Sequence, residues 1–166
     1  MKSKKVYTGN RDGIGPGERP GLTELIKHLV YLSEGALWNN GTFVVRPMRS
    51  SQSLSVHATG RAVDLSYRKT PTRGRRKGRQ YAEHIMDFLV RHNEELGIEM
   101  ILDYYPKPYG RGFKWTRGTW QKYTKMTIHG APNGDWIHIE LSPLLSDSKV
   151  KVREAFLKLF PQHSES

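Results

Sequence analysis

Two stretches of strict alternation, Ala62-Val-Asp-Leu-Ser-Tyr67 and Trp136-Ile-His-Ile-Glu-Leu141, constrain the fold of this 166-residue chain more than any other feature. Successive side chains of a strand point to opposite faces, so each stretch predicts a strand with one apolar and one polar face. The first sends Val63 and Leu65 to one side and Asp64 to the other. The second sets His138 and Glu140 on the face of Trp136.

Elsewhere along the chain the apolar spacing is that of helices. Leu22, Leu25, Ile26, Leu29, Val30 and Leu32 predict a helix that stops at Gly35. Tyr81, Ile85, Phe88, Leu89 and Leu96 predict one of about four turns, ended by Gly97. Val150, Val152, Ala155, Phe156, Leu159 and Phe160 predict a last helix over residues 147–160, before Pro161. Further strands are expected at 42–46, ended by Pro47, and at 98–105. Residues 9–21 read as an irregular lead-in, and 68–79 as a loop, broken by Pro71, Gly74 and Gly78. Residues 104–125 hold too many Gly and Pro for a helix. The expected architecture is α+β: one domain over residues 1–166, a small antiparallel sheet with flanking helices, and a core over about 22–141.

A chain of this length can bury a core without disulfides, and it has no cysteine. That excludes a thiolate metal site and a cysteine nucleophile, so any metal must be held by His, Asp or Glu. No run approaches the roughly 18 apolar residues of a membrane span. The charged N-terminus is not followed by an apolar stretch of signal-peptide length, so synthesis in the cytoplasm without an export signal is expected.

The net charge of +11 is concentrated in two segments. Residues 68–79 carry seven basic residues and no acid, and residues 104–125 carry six and no acid. These patches suit a polyanionic partner, or simply a solvated surface. Aromatic residues are interleaved in the second segment. Nucleic acid is one partner that such a mix can serve, although no nucleic-acid fold signature is present; a groove for sugar and peptide is another.

The chemistry-bearing stretch is Ser55-Val-His-Ala-Thr-Gly-Arg-Ala-Val-Asp64. His57 and Asp64 can converge if the chain turns back between them, and Gly60 allows that turn. A catalytic zinc takes N and O ligands at about 2.0–2.2 Å and leaves one position open. A third ligand must come from elsewhere, and the strand containing His138 offers one.

This stretch resembles the S-x-H-x-x-G-x-A-x-D signature of the LAS zinc metallopeptidases, whose members include lysostaphin, D-Ala-D-Ala peptidases and sonic hedgehog. It is most similar to the D-Ala-D-Ala carboxypeptidase branch, which includes phage endolysins. The resemblance runs from about Thr42 to Leu141. It implies one zinc ion held by His57, Asp64 and His138, in a groove on the sheet of a hedgehog/D-Ala-D-Ala peptidase-like fold. It further implies Asp135, three residues before His138, as general base and Arg49, in the Arg46-Pro-Met-Arg49-Ser50 stretch, as the group that stabilises the developing oxyanion. Ser55 is expected beside the ligands as a hydrogen-bond partner, not as a nucleophile. Gly118-Thr-Trp120-Gln-Lys-Tyr123 resembles a stretch of the phage members and marks Trp120 and Tyr123 as groove residues. Relatives with an H-x-H pair carry a His where this chain has Trp136, and His129 is a candidate for part of that role. Many relatives have Glu where this chain has Asp135.

The function implied is zinc-dependent hydrolysis of a peptide bond in bacterial peptidoglycan, by an endopeptidase or carboxypeptidase of the phage lysin type. It would act at the cell wall after release, with the basic segments on anionic wall polymers. The alternatives are a basic nucleic-acid-binding protein and a zinc-binding module without catalysis. A wall-binding element of its own could lie only in the terminal extension, 141–166.

Overall fold

The computed structural model describes residues 4–49 and 51–161. Six strands form one antiparallel sheet: β1 (Trp38–Gly41), β2 (Ala62–Ser66), β3 (Ile98–Asp103), β4 (Arg111–Lys114), β5 (Thr119–Lys122) and β6 (Trp136–Leu141). Their spatial order is β1-β2-β6-β3-β4-β5, so the last strand in sequence lies between β2 and β3. The helices are α1 (Pro20–Leu32), α2 (Gly78–Arg91), the single turns α3 (Asn93–Leu96) and α4 (Pro143–Ser146), and α5 (Lys149–Leu159). The α+β architecture, with an antiparallel sheet and flanking helices, is as expected.

One apolar cluster joins the sheet to the helices. Leu22, Leu25 and Leu29 of α1, Ile85, Met86 and Leu89 of α2, and Val152 and Phe156 of α5 pack with Val63, Leu65, Ile137 and Ile139 of the central strands. Each such side chain contributes about 1.5–3 kcal/mol on burial, and alternation along β2 and β6 commits the opposite residues to the other face. That other face carries Asp64, Trp136, His138 and Glu140.

Local sequence explains most boundaries. Pro20 occupies the first turn of α1, where its missing N–H costs nothing. Gly35, at φ 77°, returns its N–H to the Val30 carbonyl and closes the helix. Gly97, at φ 65°, ends α3 in the same left-handed conformation.

Four expectations need correction. Thr42–Arg46 is not a strand; β1 lies earlier, at Trp38–Gly41. Gly41 breaks the register with β2, and the chain then leaves the sheet with Val44 and Val45 exposed. Gly78 does not belong to the loop: it is the first residue of α2, packed so closely on Tyr67 that a Cβ would lie 2.7 Å from the Tyr67 carbonyl oxygen. The helix expected over 81–96 divides at His92, whose conformation ends α2, while the Asn93 side chain donates to the Val90 carbonyl at 2.6 Å. Residues 104–125 are not merely irregular; they contain the β4–β5 hairpin, turned at Gly118 with φ 75°.

The lead-in has no regular structure, as expected, but it is firmly tied to the domain. Gly15 and Arg19 donate backbone N–H groups to the Ala58 and Gly60 carbonyls. The terminal segment is likewise part of the core through Val152, Ala155 and Phe156, and is no appended module. Residues 162–166 of that extension, and Ser50 of the arginine-containing stretch, lie outside the described residues. No helix among the described residues is long and apolar enough to cross a membrane.

Candidate metal centre

The stretch from Ser55 to Asp64 folds as a cap, a turn and a strand. The Ser55 hydroxyl accepts the His57 backbone N–H at 3.3 Å and caps a single 3-10 turn, Val56–Thr59. Gly60 then reverses the chain at φ 79°, against the Gly17 carbonyl, which a Cβ would approach to 2.0 Å. Only glycine fits there. β2 follows, and Asp64 stands directly opposite His138 in the β2–β6 register. Directly paired residues of antiparallel strands share a face, so this register brings the two side chains together. The turn delivers His57 to the same place.

His57, Asp64 and His138 each offer one ligand atom, all within 4.8 Å of one another. The Asp64 Oδ1 lies 3.3 Å from His57 Nε2 and 3.0 Å from His138 Nδ1. The far side of each ring fixes which nitrogen carries hydrogen. His57 Nδ1 is 2.6 Å from the Thr42 carbonyl oxygen, which can only accept, so Nδ1 donates and Nε2 keeps its lone pair. His138 Nε2 is 3.0 Å from Glu140 Oε1 and donates to it, leaving the lone pair on Nδ1. Two lone pairs and a carboxylate oxygen therefore converge.

Such a set needs positive charge at its centre. The contacts to Asp64 are close to the ligand separations of about 3.3–3.6 Å that a tetrahedron of metal bonds at 2.0–2.2 Å would give. Outer acceptors on both histidines are the usual support of ligating imidazoles. The group thus fits a metal ion and could hold one. Without a metal the same geometry holds protons instead. Burial disfavours charge on His138, but its hydrogen bonds to Asp64 and Glu140 outweigh burial and push it up to about 10. Burial alone would raise Asp64; the hydrogen bonds from His138 and His57 reverse this and hold its carboxyl well below the usual range.

The centre opens on a cleft of about 270 Å³, whose lining includes Arg46, Arg49, Tyr104, His129 and Trp136. Arg49 and His129 both line this cleft. Burial lowers the His129 pKa, so its imidazole is neutral near pH 7. Ser55 also lines the cleft, held by its capping bond.

Three expected residues are not brought to the cleft. Asp135 lies outside its lining, with its two oxygens accepting from Arg68 Nε at 2.6 Å and Nη2 at 3.1 Å. Asp135 precedes the first residue of β6, in the bend that enters the strand, where the Arg68 pair holds its carboxylate. Trp120 pairs with Phe113, a member of the apolar core, and therefore lies on the helix side of the sheet, beneath the Arg111 guanidinium at 4.0 Å. Tyr123 follows β5 and packs on Gly112 and Gly130, outside the cleft. Conversely, the carbonyl of Thr42 and the side chains of Glu140 and Tyr104 were not singled out as site residues. Glu140 was legible, since it follows His138 by two on a strand. The Thr42 contact, 15 residues away, carries no local signal.

Comparison of the chain with family models, curated proteins and solved structures finds no match.

Proposed function

We propose that the protein is a zinc-dependent peptidase that hydrolyses a peptide bond of bacterial peptidoglycan, with the hedgehog/D-Ala-D-Ala peptidase-like fold that its signature implies. The observation that carries this reading is the convergence of His57, Asp64 and His138, each histidine oriented by an outer acceptor, at the floor of an open cleft. That donor set, with no thiolate, is the set a hydrolytic zinc uses. The Ser55–Asp64 signature supports the same conclusion.

His57, Asp64 and His138 would hold the ion, which when bound supplies Lewis-acid polarisation of the scissile carbonyl and activation of water. The chain's own residues do the rest. Arg49 lines the cleft and places its charge where the carbonyl oxygen becomes negative. Ser55 holds the turn that presents His57. Asp135 takes the proton from the attacking water and delivers it to the leaving amine, which requires its pair with Arg68 to open. His129 is the second acceptor to consider, because it already lines the cleft as a neutral imidazole.

Digestion of purified peptidoglycan by the zinc-loaded protein, with mass spectrometry of the released fragments, tests the reading. New peptide ends are expected from the unaltered chain. Asp135→Ala should lower kcat by about 10²–10⁴-fold, while His129→Ala should have the smaller effect. The reverse order would move the proton-transfer role to His129. No fragments at all from protein with bound zinc would leave a zinc-binding module without catalysis.

The basic segments support a polyanionic wall partner. Arg68, Arg79 and Arg111 are spent on Asp135 and Asp103. Lys69, Arg76, Lys77, Lys107, Lys122 and Lys125 are exposed, with no ion pair among the described residues. Raising salt from about 0.05 to 0.5 M should weaken wall binding far more than turnover of a small soluble peptide. Equal effects would remove the polymer-binding role.

A further inference from the structure

We infer that Tyr7, in the irregular N-terminal segment, is a positioning residue of the metal centre that acts through Glu140 on His138. The inference rests on the metal site of the preceding reading but not on its substrate.

The argument begins with Glu140, a carboxylate 2 % exposed in the middle of the sheet. A buried carboxylate is tolerated only when its oxygens are paired. One oxygen, Oε1, accepts from His138 Nε2 at 3.0 Å. The other, Oε2, accepts the Tyr7 hydroxyl at 2.6 Å, across 133 residues of sequence. Tyr7, Glu140 and His138 therefore form one continuous line of hydrogen bonds, and the His138 Nδ1 at its far side lies 3.0 Å from the Asp64 ligand oxygen. Burial and the Glu140 charge push the Tyr7 pKa far above its usual range, so the hydroxyl stays a donor.

The Tyr7 end of this line is fixed. The Tyr7 ring lies beneath the Lys114 ammonium at 4.1 Å. The next residue, Thr8, donates its backbone N–H and its hydroxyl to Glu99 at 2.9 and 2.8 Å. The segment is therefore a strap laid across β3 and β6, and its Tyr7 hydroxyl, 2.6 Å from Glu140 Oε2 and 3.8 Å from Met100 Sδ, reaches the face of the sheet that carries His138. Without that hydroxyl, Oε2 has no hydrogen-bond partner among the described residues, and the Glu140 carboxylate is free to rotate away from the position that aims His138 Nδ1 at the metal. Outer partners of ligating histidines are worth about 10–100-fold in metal affinity.

The test is zinc affinity, measured by competition with a chromophoric chelator on the full chain, together with the visible spectrum of the cobalt-substituted protein. Tyr7→Phe should weaken zinc binding by about 10–100-fold and shift or broaden the cobalt bands. Thr8→Val is the control. It removes a neighbouring bond of the same strap, but one directed at Glu99, and should leave affinity within about threefold.

Tyr7→Phe with unchanged affinity and unchanged cobalt bands would overturn the inference and leave the metal centre intact. Equal losses in Tyr7→Phe and Thr8→Val would overturn it too, since the strap would then matter only as structure. Failure of the unaltered chain to bind zinc would overturn the metal centre itself.

Discussion

Replacing either His57 or His138 by Ala is expected to remove bound zinc and hydrolysis together. Outer hydrogen-bond partners alone are worth about 10–100-fold in affinity, so loss of a ligand should exceed about 100-fold. The structure gives a specific reason for the size of the effect. Each histidine has one nitrogen committed to an outer acceptor, Thr42 or Glu140, and can offer the centre only the other. Neither ring can turn to compensate for its partner. Metal content by elemental analysis should fall from one per chain to near zero. The stabilisation expected of zinc on the unaltered protein, about 2.7 kcal/mol at a hundredfold excess over Kd, should be absent as well. A His138→Ala protein that keeps its zinc and still cuts peptidoglycan would place the metal elsewhere.

The largest stability effect is expected at Arg61, which the sequence places inside the signature without assigning it a role. Arg61 is fully buried. Its guanidinium donates to both Asp12 oxygens, at 2.9 and 3.0 Å, to the Leu141 carbonyl at 2.6 Å, and to the Gly9 carbonyl. One side chain thus joins the lead-in, the signature turn and the end of β6. Arg61→Ala leaves the Asp12 carboxylate short of its principal partner and takes a donor from each of the Gly9 and Leu141 carbonyls. Breaking a buried pair in this way costs about 3–5 kcal/mol. Arg61→Lys should recover little of it, because a point charge cannot make the forked contact. Urea unfolding of the three proteins measures this, and a loss under about 1 kcal/mol for Arg61→Ala would contradict the role. Because Tyr7 lies two residues before Gly9, Arg61→Ala should also loosen the Glu140 contact.

Much of the fold was legible because its signals are local. The alternation of β2 and β6 separates Val63, Leu65, Ile137 and Ile139 from Asp64, His138 and Glu140 without reference to anything distant. Helical spacing located α1 and α5 to within a few residues. The failures have equally local causes. Val44 and Val45 have the composition of a strand, but Gly41 takes the chain out of the sheet before they can pair. The β4–β5 hairpin was hidden because its Gly-rich composition argues against helix without arguing for strand. Trp120 and Tyr123 were drawn to the groove by resemblance; cross-strand pairing with Phe113 sends Trp120 to the core.

At the site, the identities of His57, Asp64 and His138 came from the sequence, because ligand chemistry is a property of residue type and the turn at Gly60 is encoded within the signature. The tertiary structure alone decided which nitrogen of each histidine faces the centre. That choice is made by Thr42 and Glu140, and the Glu140 carboxylate is itself held by Tyr7 from the opposite end of the chain. It also decided that Asp135 is paired with Arg68, since a charge that follows β2 meets the carboxylate just before β6. Residue type and short-range periodicity are written along the chain. Hydrogen-bond partners separated by more than a hundred residues are set only when the sheet closes and brings them within reach.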